Sequence, residues 1–186
     1  FRSDSSWGTP EPVLEILRHD IEGDGFILSL RGHIACAPPD GTGEPVANAT
    51  IGLDIQVRGQ ADGSLHFAAQ ATPFSDLLTH RCGWVLMHPM SAQGCAVKVQ
   101  HVDGRVSLST LPQEVPAWPP FTAVRSLSHE YAPGHWAEAF LPDEDYELED
   151  QRNNADASFK TYSRSNFMPR PYLLKQGQAW TRAMHL

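Results

Sequence analysis

One stretch of this chain gathers most of the side chains able to do chemistry. Tyr146-Glu147-Leu148-Glu149-Asp150-Gln151-Arg152-Asn153-Asn154 continues through Asp156 and Lys160 to Tyr162. Its first part alternates, which puts Tyr146 and Leu148 on one face of a strand and Glu147 and Glu149 on the other. Asp150, Arg152, Asn153, Asp156 and Lys160 follow, mixed in sign and short of apolar neighbours. Such a cluster suits hydrogen bonding to a polyol, with a carboxylate inside it as general base. The competing reading is a solvated strand end whose ion pairs contribute little individually. Two histidines close apolar, strand-like runs: His88 after Leu86-Met87, and His129 after Leu127-Ser128. A histidine there serves as acid, base or sugar ligand, or sits in the structure as a satisfied core imidazole. Trp136, after the Ala132-Pro133-Gly134 turn, is read as a core side chain rather than a sugar-stacking one.

Several chemistries lack their signatures. There is no G-x-S-x-G elbow, no H-E-x-x-H zinc helix, no P-loop and no G-x-G-x-x-G. The nine histidines are scattered without the spacing of a three- or four-ligand site, so neither metal nor cofactor is expected. Three cysteines, Cys36, Cys82 and Cys95, form no C-x-x-C pair and are read as reduced, which points to the cytoplasm.

The elements that must carry these residues are strands. Asp24-Gly25, Asp62-Gly63 and Asp103-Gly104 each stand between apolar runs, and Ile51, Leu53, Ile55 and Val57 alternate with polar or small residues. Alternation of period two marks half-buried strands, and Asp-Gly marks tight hairpin turns. A helical pattern survives only as a short candidate beginning in 72–78, with Ser75 as its cap. The segment Ala37–Pro45 reads as a surface excursion. The expectation is an all-β protein, a large antiparallel sandwich of about ten or more strands.

With 186 residues, of which 14 are glycine and 15 proline, the chain fits one loop-rich domain. Its 14 basic and 22 acidic residues leave a net charge of −8, which disfavours nucleic acid and anionic membrane surfaces as partners. No run approaches the roughly 18–20 apolar residues of a membrane-crossing helix.

The long stretch 146–162 resembles the E-D-Q-R-N-W-T-D-A-S-F-K-T-Y signature of D-apionate lactonase-type proteins. Leu86-Met87-His88-Pro89, His101-Val102-Asp103-Gly104, Leu127-Ser128-His129-Glu130 and Pro133-Gly134-His135-Trp136-Ala137-Glu138 match further stretches in the same order, and Trp7-Gly8-Thr9 an early one. The resemblance implies that residues 1–186 are one N-terminal β-sandwich domain of a longer chain, followed by a barrel-like domain. It implies hydrolysis of D-apionolactone, a branched-sugar lactone, to D-apionate. This sequence departs from the signature where Asn154-Ala155 stands in place of Trp-Thr. The order of motifs also resembles, at the level of architecture, the galactose-mutarotase-like supersandwiches.

The residues and the resemblance together leave three functions, the first of them implied by the resemblance. In a lactone hydrolase, Glu149, Asp150 or His129 activates water and Arg152 or Lys160 stabilises the oxyanion, while His88, Asn153 and Asp156 bind the sugar lactone. In a noncatalytic module, the domain binds carbohydrate or braces the barrel, leaving an apolar patch exposed where the barrel docks. In a mutarotase-like epimerase, His88 or His129 acts as acid and a carboxylate as base.

Overall fold

A computed structural model describes residues 2–3, 9–36, 50–143, 145–154 and 156–186. The excursion expected at Ala37–Pro45, the dipeptide Trp7-Gly8 and Ala155 lie outside the described residues. In chain order the strands are β1 (Arg2–Ser3), β2 (Val13–Glu22), β3 (Gly25–Ala35), β4 (Thr50–Gly59) and β5 (Leu65–Pro73). They continue with β6 (Leu77–Arg81), β7 (Val85–Pro89), β8 (Ala96–His101), β9 (Val106–Thr110) and β10 (Phe121–Ala132). The last five are β11 (His135–Phe140), β12 (Tyr146–Asp150), β13 (Ser158–Ser163), β14 (Tyr172–Leu174) and β15 (Trp180–His185). Two short 3-10 turns, Met90–Ala92 and Gln151–Asn154, are the only helical elements among the described residues.

The all-β expectation holds. Twelve strands share one antiparallel sheet in the order β2-β3-β4-β5-β15-β11-β10-β12-β13-β7, with β8 pairing β10 and β9, and β1-β6-β14 form a smaller sheet. This architecture is consistent with a β-sandwich. The short helix expected near 72–78 is absent, because β5 runs through Pro73 and β6 begins at Leu77. The intervening polar groups are engaged elsewhere: Phe74 N–H donates to Thr50 C=O, and Asp76 Oδ1 accepts the Gln176 N–H at 2.8 Å. These partners hold the segment as a tight link between strands.

The hairpins form where expected, with one shift of turn residue. At Asp62-Gly63 and Asp103-Gly104 the glycines have φ of +87° and +85°. The aspartates accept N–H bonds from Ser64 and Arg105, both at 2.9 Å. Between β2 and β3, however, Glu22 pairs with Gly25, so Gly23-Asp24 makes the turn and Gly23 supplies the positive φ of +60°. Gly25 matters for a different reason: a Cβ there would lie 2.7 Å from the carbonyl oxygen of Gly59.

Two compact units divide the chain. The first comprises Phe1–Cys82 and Pro169–Ala183. Its core gathers Ile34, Cys36, Ile51, Ala71, Cys82 and Leu174, with Leu53, Leu77, Tyr172 and Trp180 packed against them. The second comprises Gly83–Met168 and Met184–Leu186. Its buried apolar side chains come from β8, β10, β12 and β13, with Val97, Val99, Leu127, Leu148, Phe159 and Tyr162 almost fully shielded. All eight residues singled out as candidates for chemistry lie in this second unit.

Candidate functional site

Strand β10 organises the second unit because it has different neighbours along its length. Near its start it pairs with β12, through Phe121↔Leu148 and Val124↔Tyr146. Farther on it pairs with β8, through Leu127↔Val99 and His129↔Val97. Val124 pairs with Tyr146 and with His101 of β8 at once, so β8 lies along the opposite edge, and from Ser126 onward β11 takes the place of β12. That change coincides with register shifts around Val124, next to Ala123, whose φ is +52°. A bulge of this kind bends a strand and redirects its side chains.

Beyond β12 come β13 and β7, three pairing steps from β10. In a flat sheet those steps would span about 14 Å at the usual strand spacing. Yet the ring of His88 on β7 lies 5.4 Å from that of His129 on β10, edge to face. The β12-β13-β7 branch therefore curls over, and the two histidines meet inside. His88 is buried, and its Nε2 lies 2.9 Å from the hydroxyl of Thr161. Burial, and then the neighbouring His129, push its pKa down to about 4, so it is neutral at pH 7. His129 is also buried, and its Nδ1 has no hydrogen-bond partner among the described residues.

The polar stretch divides between two faces, as strand alternation requires. Cross-strand partners share a face, so Asp150↔Phe159↔His88 mark one side and Glu149↔Lys160↔Met87 the other. On the first side, Asp150 is nearly inaccessible and is gripped by Arg152, whose Nε lies 2.9 and 3.1 Å from the two carboxylate oxygens. Hydrogen bonding from the guanidinium holds the carboxyl below the usual aspartate range, against the opposing effect of burial. Arg152 also donates to the carbonyls of Gln113 at 2.7 Å and Pro112 at 3.0 Å, and its guanidinium lies 5.4 Å from the Phe159 ring centre. Asp150 and Arg152 thus clamp the Pro112-Gln113 segment to the end of β12.

On the second side a hydrogen-bonded row runs across the strands. Gln151 Nε2 donates to Glu149 at 2.8 Å, and Lys160 Nζ donates to Gln151 Oε1 at 3.2 Å and to Asp156 at 3.3 Å. Gln151 is buried, but Glu149, Asp156 and Lys160 are half-buried and Asn153 is exposed. This row combines two carboxylates and an ammonium, all partly open to solvent, around one buried amide. It has the donors and acceptors needed to bind a polyol and to handle a proton.

Two residues depart from the sequence reading. Trp136, expected in the core, is 48% exposed on β11, opposite Glu130 beside the Pro133-Gly134 turn. Glu147, grouped with the outward Glu149, is completely buried. Its carboxylate accepts bonds from the Tyr162 hydroxyl, the Ser165 hydroxyl at 2.7 Å and the Asn166 N–H at 3.0 Å. Alternation identified its face but not the burial of that face. The available signal was Tyr162, a hydroxyl-bearing ring placed to pair with Glu147 if β12 and β13 form a register. No group of three or more His, Cys, Asp or Glu side chains able to hold a metal occurs among the described residues.

Comparison with known proteins now adds a second line of observation. The family model described as "D-apionate lactonase, N-terminal domain" matches residues 2–186. A D-apionate lactonase from Brucella anthropi is 35% identical over 173 residues, which cover 92% of this chain and 27% of that protein. The chain therefore spans about a quarter of the length of the relative it matches.

Proposed function

The chain belongs to the D-apionate lactonase N-terminal domain family, and from that membership we propose that it works as the β domain of a longer carbohydrate-lactone hydrolase. The substrate in this reading is a branched-sugar lactone, D-apionolactone, opened to D-apionate in the cytoplasm. Residues 1–186 form the N-terminal domain, and a barrel-like domain follows in the same polypeptide. The observation that carries the reading is the match over 2–186, with the signature stretch lying on β12, the following 3-10 turn and β13.

Hydrolysis of a lactone needs a water deprotonated as it attacks and a cation or donor facing the developing oxyanion. Glu149 and Lys160, paired across β12 and β13 and partly open to solvent, suit those roles. Glu149 takes a proton from water as its oxygen bonds to the carbonyl carbon. Lys160 faces the oxyanion, and the ring C–O bond breaks as the alkoxide regains the proton. Asp156, 3.3 Å from Lys160, and the exposed Asn153 bind sugar hydroxyls. Asp150, Arg152, His129 and His88 complete the set, with Asp150 and His129 as further candidate bases and His88 and Arg152 as substrate contacts.

A second reading is favoured by one observation: most of the Arg152 donors are engaged by Asp150 and two backbone carbonyls. On that basis the signature serves architecture, and the domain braces a catalytic barrel. Lactone opening by the longer natural chain, followed as acid release with spontaneous opening subtracted, separates the two. Glu149→Gln and Lys160→Met are each expected to lower kcat by roughly 100-fold or more if these residues touch the reacting atoms. Unchanged kcat in both variants would leave the bracing role, and an inert longer chain would remove D-apionolactone as substrate.

A further inference from the structure

The four strands β2 to β5 have two chemically opposite faces. Cross-strand partners share a face, and the register aligns Ile16↔Leu30↔Ile55 and His19↔Leu28↔Val57, with Ile21 opposite Phe26, so one face is apolar except for His19 on the edge strand. The reverse face aligns Glu15↔Arg31↔Asp54↔Gln70 and carries ion pairs such as Arg31–Asp54 at 2.7 Å. At one end the apolar face joins the core through buried Ile34 and Ile51. Toward the hairpin tips the covering thins. Leu28, Leu30, Ile55 and Val57 are half-buried, and on β2 Ile16 is 66% and Ile21 70% exposed. A contiguous apolar sheet face grading out of a core is the kind of patch that marks an interface.

We infer that this apolar face of β2–β5 is the seat of the remainder of a longer polypeptide, which packs on it as a permanent intrachain interface. The inference rests on the lactone-hydrolase reading for the existence of that polypeptide. Three observations select this occupant. The matched region is only 27% of the relative's length, so most of that protein lies outside it and needs a surface to pack on. The face is apolar and continuous with a core, as in permanent rather than transient contacts. A second copy would bring another −8 of net charge against this one, which opposes self-association.

Thiol labelling of the longer natural chain tests the assignment. Ile16→Cys and Ile21→Cys report the apolar face, and Glu15→Cys and Gln70→Cys the polar reverse. These positions are exposed at the surface of this domain, so none of the substitutions disturbs its core. The expected result is labelling at 16 and 21 at least roughly tenfold slower than at 15 and 70, independent of protein concentration. Equal rates on both faces would overturn the inference, and so would protection that appears only on self-association at high concentration. Lactone opening is measured on the same samples. Fast labelling in an active protein defeats the docking inference alone, whereas protection in an inert protein defeats the substrate reading alone.

Discussion

Two buried polar residues in the second unit illustrate how environment sets chemistry. The His88 imidazole is held neutral, with its pKa moved from the ordinary 6.5 to about 4 by burial and by His129. An unfolded chain takes up this proton below about pH 6.5, and the folded one refuses it until near pH 4. The stabilisation is therefore complete above pH 6.5 and declines as pH falls toward 4, by about 3 kcal/mol at most. Denaturant unfolding at pH 7.5 and 4.5 should show this loss, and His88→Gln should flatten it. An equally steep decline in the variant would assign the loss to other groups. Glu147 makes the complementary case, a carboxylate shut in with the donors of Tyr162, Ser165 and Asn166. Glu147→Gln turns an amide donor toward those donors and is expected to destabilise the fold by about 2–3 kcal/mol. Glu149→Gln, at the partly open row, should change stability by less than about 0.5 kcal/mol. Chemical unfolding of the two variants in parallel checks the contrast, and equal effects would contradict the burial difference.

Elements in this protein are set by turns and redirected by irregularities. Gly63 and Gly104 hold φ values near +87° and +85°, and a Cβ at either would meet no atom within 4 Å. Alanine at these positions therefore meets only the backbone penalty of the left-handed region, about 1 kcal/mol. Gly63→Ala and Gly104→Ala should each lower the unfolding free energy by that amount, read as a lower denaturant midpoint at unchanged slope. A neutral outcome would mean that the turn relaxes to another type. The register shifts in β10 act at the same scale. They let one edge of β10 serve β12 and then β11 while the other serves β8, and the curl of the β12-β13-β7 branch brings His88 against His129.

At the scale of the whole molecule, the chain combines a net charge of −8 with an apolar sheet face, and no helix of the described residues is long and apolar enough to cross a membrane. The hairpin strands β2 to β5 and β8 to β9, and most of their turns, were legible in the sequence because they depend on local rules, whereas β6 begins in a segment that reads as a short helix. Period-two alternation around 51–57 places side chains on two faces, and Asp-Gly favours a tight turn wherever it falls. The signature stretch 146–162 was equally legible as a unit, and the family follows from it. The turn at Gly23 rather than Gly25 already required the β2–β3 register, which is a property of two strands. What only the tertiary structure decided is which face meets a second layer. Glu147 and Glu149 stand two residues apart on the same side of β12, yet one is sealed and the other partly open. Trp136 has the chemistry of a core residue yet stands half exposed at a strand end. His88 and His129, 41 positions apart in sequence, meet because a sheet curls. Alternation is written into the local chain, whereas burial depends on what distant strands bring to each face, and that information exists only once they have packed.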